Sequence, residues 1–138
     1  MLDDNRINRV CFVGSTPVGK DVIYMRCGET GKRVISQCGA RNFLVVTPDA
    51  NIEKTVAACM TSFYGNAGQR CLAGANLIVT GEGASENQFK TFYKRLLNTF
   101  LRLASDIRVG YGLEDTVQMG PLRDAEKKAR VMDYMQRA

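Results

Sequence analysis

Histidine is absent from all 138 residues, and that absence narrows the chemistry more than any residue present. It removes Ser-His-Asp and Cys-His catalytic machinery and every His-ligated metal site from this chain. Paired cysteine motifs are missing too. The five cysteines stand at 11, 27, 38, 59 and 71, an odd number with no C-x-x-C pair. This disfavours a zinc site and a closed disulfide framework, and it fits a reducing compartment. No apolar run approaches the roughly 20 residues of a membrane helix, and nothing is low-complexity. The opening Met1-Leu2-Asp3-Asp4-Asn5 is acidic and polar, so no signal or transit peptide is visible. A concentrated basic stripe is lacking as well. The net charge is +5, but Lys and Arg are scattered among acids apart from Lys127-Lys128 and Arg130. That pattern marks solvated helix faces rather than a nucleic-acid surface.

What remains is an ordinary globular composition, 45% hydrophobic and 24% charged, of a size for one domain. Arg9-Val10-Cys11-Phe12-Val13 reads as a short buried strand ending at Gly14. Ser15 or Thr16 then caps a helix with Pro17 in its first turn, an apolar stripe of Val18, Val22, Ile23 and Met25, and an end near Gly28 or Gly31. A strand, a glycine-serine turn and a helix N-terminus form a natural anion site, although many such turns bind nothing. Further strands are expected at 32–36, 42–47 and 72–80. Asp49 or Asn51 caps a helix that carries Ile52, Val56, Ala57, Met60 and Phe63 and breaks at Gly65. A long helix is expected from Glu86 to about Ile107, burying Phe89, Phe92, Tyr93, Leu96, Leu97, Phe100, Leu101 and Ala104. A last helix over 124–137 presents Ala125, Ala129, Met132 and Met135. Strands alternating with helices predict an α/β fold with a largely parallel sheet.

One stretch carries reactive chemistry: Asn66-Ala67-Gly68-Gln69-Arg70-Cys71. A cysteine is the strongest side-chain nucleophile, and a neighbouring guanidinium favours its thiolate. The competing reading is that a lone cysteine beside an apolar strand is packing.

Phe12-Val13-Gly14-Ser15-Thr16, Gly39-Ala40-Arg41-Asn42, Pro48-Asp49-Ala50, Gly68-Gln69-Arg70-Cys71 and Met119-Gly120-Pro121-Leu122 together resemble, in order and spacing, the NAD(P)-dependent aldehyde dehydrogenases. Within that superfamily they are most similar to the CoA-acylating methylmalonate-semialdehyde dehydrogenases. The resemblance implies a parallel-sheet α/β fragment. Residues 1–38 would be the end of a Rossmann-like NAD-binding domain, and residues 39–138 the start of the catalytic domain. It implies Cys71 as the nucleophile, forming a thiohemiacetal and then a thioester. It places Gly14 and Ser15 beside the cofactor pyrophosphate, and Cys38 near the nicotinamide end, where its main chain matters more than its thiol. Arg70 would bind the carboxylate of a semialdehyde substrate or, in the plainer reading, form a structural ion pair.

Gln37 decides the release step under this resemblance. Hydrolytic members carry a glutamate there that activates water, and an amide cannot accept a proton at neutral pH. Coenzyme A would then be the thiol that releases an acyl-CoA, and NAD the cofactor. No metal, nucleic acid or membrane partner is implied. The full-length enzyme would be a homo-oligomer, a tetramer, acting in the mitochondrial matrix in eukaryotes or the cytoplasm in bacteria, in valine and pyrimidine breakdown. Family members are several times longer, so the chain reads as a fragment that is inactive by itself. Two alternatives stay open: a hydrolytic aldehyde dehydrogenase using a base from elsewhere, and a non-catalytic fragment that associates with an intact homologue.

Overall fold

The structure, a computed structural model, describes residues 1–137. The chain divides into two compact units, Met1–Ala40 and a second beginning at Arg41. Each is built on one pair of parallel strands with a helix in the connection.

In the first unit β1 (Arg9–Val13) pairs in parallel with β2 (Arg33–Gln37), in unbroken register from Arg9 opposite Arg33 to Val13 opposite Gln37. The helix between them, α1, is π-wound over Val18–Tyr24 and α-helical over Met25–Glu29. Its buried side differs from the one periodicity predicts. Val18, Val22 and Met25 are exposed, whereas Gly19 and Cys27 are buried and Ile23 is half-buried. These last three lie four residues apart and form one helical stripe. The small residues win because the helix runs very close to β2. A Cβ on Gly19 would overlap Cys38 Sγ and lie 2.6 Å from Ser36 Oγ. No side chain caps α1. Thr16, expected to do so, instead accepts a hydrogen bond at Oγ1 from the Gly39 amide, at 3.0 Å.

In the second unit β3 (Asn42–Val46) pairs in parallel with β4 (Gly74–Val79) across α2 (Ile52–Tyr64). Asn51 is the cap: its Oδ1 accepts from the Lys54 amide at 2.9 Å. Asp49 is held by the Thr47 hydroxyl instead, which lowers its carboxyl pKa. β4 starts two residues later than expected, because the Ala73 amide donates back to the Arg70 carbonyl at 3.1 Å. That turn keeps Cys71 and Leu72 off the sheet. α3 (Glu86–Ser105) begins in a capping box in which Ser85 Oγ accepts from the Gln88 amide and Gln88 Oε1 from the Ser85 amide. Such a cap stabilises a helix by about 0.5–2 kcal/mol.

The core of this unit is Val46, Ile52, Val56, Phe92 and Leu96, flanked by Met60, Leu77, Val79 and Phe100. Burying each large member contributes about 1.5–3 kcal/mol. Of the broad stripe expected on α3, only Phe92 and Leu96 are buried; Tyr93, Leu97 and Leu101 remain exposed. Likewise α4 (Ala125–Arg137) buries none of its residues, including Ala125, Ala129, Met132 and Met135. Among the described residues, no helix is long and apolar enough to cross a membrane.

Candidate active site

The candidate residues form two clusters, one in each unit. In the first, three groups meet at the carboxyl ends of β1 and β2. The Gly14 amide donates to the Gln37 carbonyl at 3.1 Å, extending the strand pairing by one rung. Ser15 supplies the carbonyl that accepts from the Gly19 amide at 2.9 Å, the first turn of α1. Cys38 Sγ lies 3.3 Å from Ser36 Oγ and packs over Gly19. A Cβ on Gly14 would lie 2.5 Å from the tip of the Phe12 ring, which would have to move to admit it. The structure therefore brings Gly14, Ser15 and Cys38 together at one end of a parallel pair, where open α/β sheets hold their ligands. The Cys38 thiol faces Ser36 and Gly19. Gln37 is exposed at the end of β2.

In the second unit Cys71 is exposed, on a loop fixed by its own backbone and by three polar side chains. The loop leaves α2 through Asn66, Ala67 and Gly68, which hold φ of 54°, 51° and 70° in succession. Two non-glycine residues in the left-handed region mark a conformation imposed by the surroundings. Gln69 supplies part of that constraint. Its Oε1 accepts from the Arg123 amide at 3.0 Å, and its Nε2 donates to the Pro121 carbonyl at 3.5 Å, so one amide clasps the segment after Gly120.

Arg70 folds back over Gly65 and donates through Nη2 to the Thr61 carbonyl. Thr61 lies in the last turn of α2, where the helix dipole is negative, and its carbonyl also accepts from the Gly65 amide. A guanidinium suits that end of the helix. The structural role anticipated for Arg70 is thus realised by a helix end rather than by an ion pair. One of its five donors is committed there.

Asn42 completes the arrangement from the sheet side. Its Nδ2 donates to the Cys71 carbonyl at 2.7 Å and to the Ala73 carbonyl at 3.0 Å. Neither Asn42 nor Gln69 was singled out by sequence reasoning for its side chain. For Asn42 the available signal is an amide opening the otherwise apolar run Phe43-Leu44-Val45-Val46. For Gln69 the clasp leaves no signal, because Pro121 and Arg123 lie more than fifty residues away in sequence; its other partner, the Asn66 carbonyl, is local.

A cavity of about 740 Å³ in this unit lies between Tyr64, Met119, Pro121 and Met132, and Cys71 does not line it. Among the described residues no three His, Cys, Asp or Glu side chains group as metal ligands.

The chain comprises two parallel β-α-β units, the second of which presents an exposed cysteine on a constrained loop. Comparison with known proteins gives the family. The aldehyde dehydrogenase family model matches residues 1–138, and the chain belongs to that family. It is 36% identical over 136 residues to malonate-semialdehyde dehydrogenase 2 of Bacillus mycoides, and 35% over 137 residues to malonate-semialdehyde dehydrogenase of Bacillus subtilis. In each case 99% of this chain is covered but only 26% of the relative, so the chain spans about a quarter of those proteins. Among solved structures it matches the methylmalonate-semialdehyde dehydrogenase of Oceanimonas doudoroffii, with a TM-score of 0.82 and 27% identity. That match covers 98% of this chain and 26% of the other. An aldehyde dehydrogenase of Bacillus cereus in its NAD complex matches at a TM-score of 0.81 and 26% identity, over 98% of this chain and 26% of that one. These likenesses show the aldehyde dehydrogenase fold for the stretch the chain covers.

Proposed function

We propose that this chain is the nucleophile-bearing segment of a CoA-acylating, NAD-dependent dehydrogenase of malonate or methylmalonate semialdehyde. The observation that carries the substrate class is the likeness to malonate-semialdehyde dehydrogenases along 99% of the chain. The observation that carries the release chemistry is Gln37 at the end of β2, where hydrolytic relatives would need a carboxylate.

The first cluster fits a dinucleotide. Its residues lie at the carboxyl ends of parallel strands and lead into a helix N-terminus, whose first turn carries both Lys20 and Asp21. Gly14, Ser15 and the Cys38 main chain would hold it. When bound, NAD supplies a hydride acceptor. The chain's own chemistry is on Cys71. Its sulfur adds to the aldehyde carbon, giving a thiohemiacetal, and after oxidation the acyl group stays on that sulfur as a thioester. Gln37 cannot deprotonate water, so the acyl group waits for a stronger nucleophile, and a thiol such as coenzyme A takes it as an acyl-CoA while Cys71 is regenerated. Arg70 has four donors beyond the one given to Thr61 with which to meet a substrate carboxylate.

The test uses the full-length enzyme that carries this segment. With malonate semialdehyde and NAD alone it should make about one NADH per site, and steady turnover should require coenzyme A. Cys71→Ala should abolish both phases, and Gln37→Glu should restore turnover without coenzyme A. Undiminished steady turnover of the native enzyme without coenzyme A refutes the acylating reading. NADH formation by Cys71→Ala refutes the nucleophile.

A further inference from the structure

We propose that Asn42 is a positioning residue for Cys71, fixing the backbone of the nucleophile loop through its side-chain amide; this rests on Cys71 being the nucleophile. Asn42 is the first residue of β3, and its main chain stands opposite Gly74, the first residue of β4. The next rung pairs Phe43 with Asn76, so Ala75 is an extra residue and the ladder is irregular just where it meets the loop. A bulge weakens pairing locally and lets the preceding residues shift. The Asn42 side chain supplies what the ladder does not. Its two N–H groups reach over the start of β4 to the carbonyls of Cys71 and Ala73, at 2.7 and 3.0 Å.

Both acceptors belong to the turn that presents the thiol, which the Ala73 amide closes on the Arg70 carbonyl. Ala73 is buried, so its carbonyl needs an internal donor, whereas Cys71 is exposed and has no burial to hold it. Fixing the Cys71 carbonyl fixes the peptide plane from which its Cα–Cβ bond projects. A nucleophile displaced by about 1 Å loses much of its advantage. A smaller or purely accepting side chain at 42 forms neither bond, since the task requires two donors on one planar group.

The experiment uses the full-length enzyme that carries this segment and two variants of it. Asn42→Asp keeps the shape but replaces both donors with acceptors; Asn42→Ala removes the group without adding charge. Hydrogen exchange is read at the Ala73 and Gly74 amides, with α3 amides as the reference for an intact fold. Iodoacetamide labelling is read by peptide mass spectrometry across pH as the Cys71 to Cys11 ratio, Cys11 being an exposed thiol in the other unit. Both variants should speed loop exchange about tenfold while leaving α3 unchanged. Both should also change the Cys71 labelling rate and its pH profile relative to Cys11. Wild-type loop exchange with a wild-type labelling ratio overturns the proposal. So does equal acceleration in α3, which would make Asn42 a general stability residue. Neither readout needs turnover, so failure of Cys71→Ala to abolish NADH formation would refute the nucleophile and leave the clamp standing.

Discussion

Replacing Gly19 with alanine sets two opposed effects against each other, and the sign of the result reports on the geometry beside Cys38. Within a helix, glycine costs about 0.5–1 kcal/mol relative to alanine, so on propensity alone the change stabilises α1. Packing argues the other way. The new methyl group would overlap Cys38 Sγ, and it would stand 2.6 Å from Ser36 Oγ and 3.3 Å from the Phe12 ring. Cys38 has one torsion with which to retreat, and retreat breaks its 3.3 Å contact with Ser36 Oγ. Ser36 blocks the same space from β2, so moving the sulfur alone is not enough. Overpacking of this kind costs about 1–3 kcal/mol. The balance is a net loss of about 1 kcal/mol, and about 1.4 kcal/mol corresponds to a tenfold change in an opening equilibrium. The assay is native-state hydrogen exchange of the 18–29 amides by peptide mass spectrometry. We expect Gly19→Ala to speed that exchange roughly fivefold and to leave the α3 amides unchanged. Cys38→Ala in the same chain removes the sulfur, and the double variant should lose less than the sum of the singles. Slower exchange in Gly19→Ala, the outcome propensity favours, would refute the close approach of α1 to Cys38.

Two other outcomes follow from the packing and the charges. Leu96 is 2% exposed and Leu101 54% exposed on the same helix. Leu96→Ala should cost about 2–5 kcal/mol in a thermal or urea melt, whereas Leu101→Ala should stay within about 0.5 kcal/mol; equal losses would show that α3 is buried on its second face as well. At the N-terminus, hydrogen bonds from the Arg6 side chain and amide lower the Asp4 carboxyl pKa from 3.8 to about 2. A lowered folded-state value stabilises fully above the unfolded pKa near 3.8 and is lost as the pH falls through about 2. Arg6→Ala should return the Asp4 midpoint, read by NMR titration, toward 3.8, and an unmoved midpoint would refute the pairing.

The strands were legible in the sequence because short β-branched runs between turn residues have few other readings. Arg9–Val13 and Asn42–Val46 match the expected bounds to within a residue. The breaks at Gly65 and the Asn51 cap were legible for the same reason, since each rests on local backbone chemistry. Cys71 itself was singled out by residue type and motif. What holds it to the rest of the unit was not, because the Asn42 and Gln69 clamps join residues distant in sequence through a backbone carbonyl or amide. Asn42 is 29 residues from Cys71, and Gln69 is 54 from Arg123. Backbone groups carry no sequence identity, so such partners leave no pattern to read.

Apart from Gly19 and Cys27, which are buried unexpectedly, the burial errors fall in one direction, and that is informative. Periodicity assigned buried faces to Val18, Val22 and Met25, to Tyr93, Leu97 and Leu101, and to Met132 and Met135, and all eight are exposed. Helical periodicity reports how wide an apolar stripe is, not how many neighbours cover it. A single strand pair or helix covers a narrow stripe, while a stripe of this width needs a second layer. The strands repeat the pattern. Ile35, Phe43 and Val45 are more than half exposed on parallel pairs, and parallel sheets in α/β folds are normally covered on both faces. The relatives that match this chain carry roughly three further residues for each one here, given the 26% coverage. The apolar faces are therefore distributed as expected for a stretch whose sequence was shaped inside a larger fold. Arg70, Gln69 and Asn42 are of another kind: their partners lie within the second unit itself, so the geometry around Cys71 is set by this stretch alone.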